Sequence, residues 1–163
     1  MSGFANTKAD TAFLKSRFNK NIAAGEKLIG SEFWMTFKGY DNLSILVRST
    51  QIPEMTREDV EDFGPGGMKF NQHGTLRNSG EYQVTCAETI DGAVLAAVKE
   101  LVYGKKYIEV TVQAAAESNS GDHKGLIRTF SHCKIYSDAV DFSSEDVTTV
   151  VRPTLRVVYN WVE

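Results

Sequence analysis

Apolar and polar side chains alternate along this chain in short runs, the spacing that predicts half-buried strands. Glu32–Lys38 sets Phe33, Met35 and Phe37 against Trp34, Thr36 and Lys38. Leu43–Thr50 sets Leu43, Ile45 and Val47 against Ser44, Leu46 and Arg48. The turn cluster Gly39-Tyr40-Asp41-Asn42 lies between these two runs, and the combination predicts a β-hairpin. In Glu81–Thr89, Tyr82, Val84 and Cys86 oppose Gln83, Thr85 and Ala87. In Lys106–Ala114, Ile108, Val110 and Val112 oppose Tyr107, Glu109, Thr111 and Gln113. A longer strand at about Leu126–Tyr136 puts Ile127, Thr129, Ser131, Cys133 and Ile135 on one face. The last, Val147–Val162, is broken near Pro153 and ends with Leu155, Val157, Tyr159 and Trp161 facing one way.

Two stretches carry a helical period instead. Val94, Leu95, Val98, Leu101 and Val102 form one stripe, predicting a helix over about residues 91–103. Thr89 or Asp91 is placed to cap it and Gly104 to end it. Residues 7–20 hint at a short amphipathic helix with Phe13, Leu14 and Phe18 on one side. The chain thus divides into an N-terminal arm, residues 1–30, and a single domain, residues 31–163, with no internal repeat. Six or seven strands with one apolar face each, plus one helix, predict a mainly β fold. The expected architecture is a two-sheet antiparallel sandwich or barrel with a flanking helix over one open end.

The segment Thr50–Ser79 fits neither period. It is polar and glycine-punctuated, yet Ile52, Met55, Val60, Phe63, Met68, Phe70 and Leu76 are spaced among its charges. Structureless loops longer than about 12–15 residues are uncommon in compact domains and usually functional. Disorder normally brings few aromatics. The pattern predicts a long loop, at about residues 53–79, built to lie against something, and another copy of the same chain is the natural partner.

Composition narrows the function. At 163 residues, 42% hydrophobic and 24% charged, the chain is long enough for one sizeable core. A net charge of -3 argues against a general nucleic-acid binder. The two cysteines, Cys86 and Cys133, sit in apolar strand-like runs, as buried free thiols do, which favours a reducing intracellular setting. No signal-peptide pattern opens the chain and no run approaches a membrane span, so a soluble protein is expected.

Catalytic chemistry finds no foothold. His73, His123 and His132 share no metal-ligand spacing. Gly64-Pro65-Gly66-Gly67 lacks the GK[ST] ending of a phosphate loop and reads as a flexible turn. The acidic clusters Glu58, Asp59, Glu61, Asp62 and Asp138, Asp141, Glu145, Asp146 lack the alternating spacing of a calcium loop. No Ser, Cys or Thr stands in a nucleophile elbow.

The order of elements carries a resemblance. SEFWMTFKGYDNLSILVRSTQIP leads through REDVEDFGPGGMKFNQHGTLRNSGEYQVTCAET and a helix to KKYIEVTVQ and a closing TLRVVYNWVE. Over about residues 31–163 this resembles the tail tube protein of contractile-tailed bacteriophages and, more distantly, the tube proteins of type VI secretion systems and pyocins. The exit Ser49, Thr50, Ile52 and Pro53, the acidic long segment and the aromatic last strand carry most of it.

The resemblance implies a structural protein without catalytic residues, cofactor or metal. Six copies would join sheets into a ring, and rings would stack into a hollow tube that conducts DNA without binding it. Sheath protein would lie outside, with baseplate and tape-measure proteins as further partners. The protein would belong to the virion, be assembled in the bacterial cytoplasm and insert in no membrane. The long segment would reach neighbouring subunits, making Pro53, Val60, Phe63, Met68, Phe70 and Leu76 inter-subunit contacts. Polar strand positions Gln83, Thr85, Glu109, Thr111 and Gln113 would line the channel, since a hydrophilic, mildly acidic wall does not hold phosphates. Baseplate tube initiators and pyocin-like tubes share this reading. A monomeric binding module using Trp34, Tyr82, Tyr107 and Trp161 as a pocket is the competing class.

Overall fold

The computed structural model describes residues 10–115 and 126–163. His123 and the first residues of the expected N-terminal helix lie outside the described residues. The chain forms two compact units, one ending at Glu32 and one spanning Phe33–Glu163.

In the first unit, α1 spans Thr11–Ala23, three residues further than the amphipathic pattern indicated. Asp10 caps it, its carboxylate accepting from the Ala12 and Phe13 amides at 3.1 and 3.2 Å. Leu14, Phe18 and Ile22 recur every fourth residue and form its apolar stripe. Phe13 departs from the expected grouping: at about 100° per residue it lies away from that stripe. It pairs with Arg17 instead, whose guanidinium is 5.1 Å from its ring centroid.

The second unit runs β1 (Phe33–Phe37), α2 (Asp41–Leu46), β2 (Val47–Ser49), β3 (Arg57–Phe63), β4 (Lys69–Leu76), β5 (Gly80–Cys86), α3 (Ala93–Tyr103), β6 (Ile108–Ala114), β7 (Ile127–Ser137), β8 (Thr154–Tyr159) and β9 (Trp161–Val162). Seven strands make one sheet in the order β1-β6-β7-β8-β5-β2, with β9 also paired to β7. Every pairing is antiparallel. The sheet curls into a nearly closed barrel around Met35, Phe37, Val84, Val110, Phe130, Leu155 and Val157, all at most 1% exposed. Each such side chain contributes about 1.5–3 kcal/mol by leaving water. The helix α3 packs on β7 and α2, burying Val94, Val98 and Leu101. Its N-terminus is held by Glu88, which accepts from the Val94 and Leu95 amides at 3.0 Å, and by Thr89, which accepts from Ala93 at 3.2 Å. Asp91 makes no such bond.

Three expectations are corrected. The hairpin of Glu32–Lys38 with Leu43–Thr50 does not form: β1 pairs β6 and β2 pairs β5, at opposite ends of the strand order. Asp41–Leu46 is helical, burying Leu43 and Ser44 and exposing Ile45, because a short apolar run fits either period. The Ser44 hydroxyl fixes it by accepting from the Phe37 amide at 3.3 Å. Secondly, Val147–Pro153 precedes the last strand rather than belonging to it, with Pro153 fully buried.

The third correction concerns β7, whose two faces exchange part-way along. Phe130 and Cys133 are both fully buried although odd spacing should separate them. His132 sits between them in the left-handed region (φ 55), and the register against β6 shifts there, which is a β-bulge. The neighbouring strand bends at the same level: Tyr159 and Val162 face the core, while Trp161 is half exposed instead of following Tyr159. Asn160, opposite His132, ties the two bends. Its amide nitrogen donates to the His132 carbonyl at 2.9 Å and contacts Nδ1 at 2.7 Å. The one amide group thus bridges the backbone and the ring of His132.

Beneath the bend, Phe130 packs against Tyr82 and Tyr159 with centroids 4.9 and 5.0 Å away. Phe130→Ala should cost about 3–5 kcal/mol, read as a lowered urea midpoint. Burial pushes the Cys86 and Cys133 thiols up to about 12. An unfolded thiol ionises near ~8.5, so neutral burial stabilises fully below that pH and ever less as pH rises towards the folded value. The urea midpoint should therefore fall between pH 8 and 11, and more shallowly in a Cys86→Ala/Cys133→Ala variant.

Candidate functional site

The segment expected to be a loop is a β-hairpin projecting from the barrel between β2 and β5. Its strands β3 and β4 form a separate two-stranded sheet joined by a tight turn at Pro65–Gly67. Gly66 and Gly67 supply the positive φ values (75° and 77°) that the turn requires. The Gly64 amide closes it by donating to the Met68 carbonyl at 2.7 Å. Near the base Gly74 packs so closely on β3 that a Cβ would come within 2.7 Å of the Glu58 carbonyl oxygen. The sequence showed no core-facing period here because the hairpin has no core face. Every residue of β3 is exposed, as is every residue of β4 except Gly74.

Cross-strand register sorts the expected contact residues. Val60 lies opposite Gln72 and Asp62 opposite Phe70, so Val60 and Phe70 share one face. Phe63, opposite Lys69, and Leu76, opposite Arg57, share the other. Met68 follows the turn at the tip, 74% exposed, with Phe63 at 68% and Phe70 at 62%. Pro53 is apart from these, at the hairpin's root.

Ion pairs stiffen the hairpin without burying it. Arg77 grips the Glu58 carboxylate through two nitrogens at 2.7 and 3.0 Å and holds it below the usual carboxylate range. Glu61 pairs with Lys69 at 2.7 Å. At the root a cavity of about 640 Å³ lies among Pro53, Thr56, Arg77, Gly80, Tyr82 and Tyr159. Two polar atoms there, Tyr82 Oη and Thr56 Oγ1, are buried without a hydrogen-bond partner.

The five expected channel positions all lie on the sheet face turned away from the core. Thr36, Thr111 and Thr129 form one row across β1, β6 and β7, and Trp34, Gln113 and Ile127 the next. On the other half Gln83 stands opposite Arg156 and Thr85 opposite Thr154. Glu109 is on the same face as Thr111 and Gln113. Arg156, the cation central to this face, contacts Glu81 at 3.6 Å and Asp138 at 3.5 Å and lies over the Tyr136 ring. The face mixes these polar side chains with Trp34 and Ile127, and its cation Arg156 is paired.

One sheet edge stays partly open. The Lys38 amide donates to the Glu109 carbonyl at 3.0 Å, so alternation turns the N–H and C=O groups of Phe33, Met35 and Phe37 outward. Ser44 occupies the Phe37 amide, which leaves Phe33 and Met35 as outward ladder positions without a strand partner among the described residues.

Metal-binding geometry is not assembled among the described residues. No three His, Cys, Asp or Glu side chains there converge as a metal site. His132 is stacked on Tyr107 at 3.9 Å, and both cysteines are buried as neutral thiols. The pocket imagined from Trp34, Tyr82, Tyr107 and Trp161 does not exist. Tyr82 is buried in the core, whereas Trp34 and Trp161 are half exposed and Tyr107 lines a separate cavity with Lys105, Lys106 and Lys134. No described helix is long and apolar enough to cross a membrane.

Solved structures share this architecture. A chain of the PVC sheath–tube complex, an extracellular contractile injection system in its extended state, matches with a TM-score of 0.64 and 13% identity. The match covers 88% of this chain and 95% of that one. The fold is tail-tube-like. The PVC sheath/tube terminator matches this tube-like fold at a TM-score of 0.66 and 10% identity, over 85% and 96% of the two chains. The tube-terminating cap of the anti-feeding prophage does so at 0.63 and 11%, over 100% and 97%. No family model matches the sequence, and no curated protein does.

Because the Phe63 and Phe70 rings touch little within the protomer, a Phe63→Ala/Phe70→Ala variant should keep its thermal midpoint, with a stability change within about 0.5 kcal/mol. If the hairpin contacts neighbouring copies as the sequence leads one to expect, sedimentation velocity at high concentration should show less self-association for this variant than for the unaltered protein.

Proposed function

We propose that this chain is a structural subunit of the inner tube of a contractile tail or injection system. Six copies close a ring, rings stack into a hollow tube, and sheath, baseplate and tape-measure proteins are its partners. DNA passes through the tube during ejection without being bound, and the protein resides in the assembled particle.

The observation that carries this reading is the projecting hairpin. A lone two-stranded hairpin is marginal in water. This one holds out Val60, Phe63, Met68, Phe70 and Leu76 from a fold shared with tube-complex components. Burying those side chains in neighbouring copies supplies the apolar anchors that a mechanically loaded, obligate interface requires. The open ladder groups at Phe33 and Met35 offer a place for sheets to join between copies, and ring closure then removes the edge. In such a ring Gln83, Thr85, Glu109, Thr111 and Gln113 face the channel, where threonine, glutamine and glutamate side chains do not retain phosphate.

A related reading is that the chain terminates a tube instead of building its length. It is favoured by the alignment of the anti-feeding prophage cap with all of this chain, N-terminal unit included.

Negative-stain microscopy of the purified protein at high concentration tests both. Rods of uniform width support the tube subunit, and isolated rings that never lengthen support the terminator. A monodisperse 18.1 kDa monomer at every concentration would reject both.

A further inference from the structure

The N-terminal helix has no buried residue, and neither does β3. Both expose apolar side chains: Leu14, Phe18 and Ile22 are 55–59% exposed, and Val60 and Phe70 are 40% and 62% exposed. A helix of 13 residues is marginal in water unless its apolar stripe is covered.

Charge says what covers it. The helix α1 carries Lys15, Arg17 and Lys20 and no carboxylate. The strand β3 carries Glu58, Asp59, Glu61 and Asp62 against Arg57 alone. Arg77 and Lys69 engage Glu58 and Glu61, while Asp59 and Asp62 form no ion pair among the described residues. The hairpin face bearing Val60 and Phe70 also bears Asp62, and the stripe of α1 is flanked by Lys15 and Arg17.

We propose that α1 of one copy docks on the Val60–Phe70 face of the β3–β4 hairpin of a neighbouring copy. Leu14, Phe18 and Ile22 lie on Val60 and Phe70, and Lys15 and Arg17 approach Asp62. The connecting residues 24–32 reach about 30 Å when extended. A domain of this size has a radius of gyration of only about 14 Å, so the helix can act as a strap to a neighbour. This deepens the assembly reading, since it names one pair of surfaces that neighbouring copies would join.

A cross-linking experiment in the full chain tests it. Two preparations, one with Phe18→Cys and one with Phe70→Cys, are mixed at assembling concentration and oxidised; Cys86 and Cys133 are buried and neutral. Both replaced side chains are exposed, and circular dichroism checks that the fold survives. The expected result is a disulfide-linked pair containing one chain of each kind, absent when Gln83→Cys replaces Phe70→Cys. Phe18→Glu should weaken inter-copy association by at least roughly tenfold, the loss of one interface anchor. Raising salt should weaken it too.

The two ideas fail separately. Rods without the Phe18–Phe70 cross-link overturn the strap and leave the tube standing. The cross-link without rods or rings keeps the strap and removes the tube. If the Phe18→Cys/Phe70→Cys double variant instead closes within one chain at high dilution, the helix belongs on its own hairpin and the proposal is wrong. It is equally wrong if no cross-link forms and α1 binds anionic phospholipid vesicles through Lys15 and Arg17.

Discussion

The barrel depends on two strands bending at the same level. β7 pairs with β6 along one side and with both β8 and β9 along the other, so its conformation is shared by both halves of the sheet. A regular strand would carry Phe130 and Cys133 to opposite faces and leave one of them in water. The left-handed turn at His132 adds the residue that brings both inward. The change of face between Tyr159 and Val162 keeps the partner strand in step. Two bonds from Asn160 hold the bends together, and the stacked Tyr107 ring covers the histidine. With the bend fixed, the sheet curls far enough for its concave side to close over one aromatic and aliphatic core.

Curling has a consequence for the rest of the chain. Once the concave face is filled by side chains from β1, β5, β6, β7 and β8, with α3 packed alongside, the interior has no room for β3 and β4. The hairpin is therefore expelled as a projection with two wet faces. Single exposed apolar residues are ordinary on any protein surface. Phe63, Met68 and Phe70 differ in being gathered within eight residues on an element that has no tertiary support of its own. Apolar area is then concentrated on one ion-paired projection. In the proposed tube, contact with neighbouring copies would remove that area from water.

The parts of this architecture legible in the sequence were those where one physical signal acted alone. The alternation at β5 and β6 and the stripe of α3 are each set by burial against a single core, and period translates directly into element. Where two signals compete, the sequence is ambiguous. Leu43 and Val47 satisfy a four-residue spacing as well as an alternating one, and the buried Ser44 hydroxyl settles the choice through a bond to a distant strand end. The exchange of faces in β7 needed a histidine in a left-handed conformation, stabilised by a residue 28 positions away, which no local pattern announces. The hairpin was read correctly as polar with apolar side chains spaced among its charges but wrongly as structureless, since period-based reasoning detects strands by their buried face. Its turn signal, Gly64-Pro65-Gly66-Gly67 flanked by Phe63 and Met68, was visible and would have identified it. The polar positions of β5 and β6 were placed on one face by simple alternation, and the register of β1, β6 and β7 adds that Thr36 and Thr129 continue the same rows.

Several weak contacts suit ordered assembly better than one strong one. The open edge of β1 offers ladder groups only at Phe33 and Met35, too few to join two sheets firmly. Its shortness also limits the indiscriminate pairing that a long bare edge invites. The hairpin adds apolar anchors but no fixed direction, because both its faces carry them. In the proposed docking, direction comes from charge: β3 is acidic and α1 is basic, and attraction between exposed charges decays over roughly 10 Å at 0.1 M salt. In the proposed assembly, a copy approaching in the wrong orientation would meet like charge or an already neutralised surface such as that around Arg156. Only the arrangement that satisfies edge, anchors and charge together gains all three contributions, and each is too small to trap a misplaced copy.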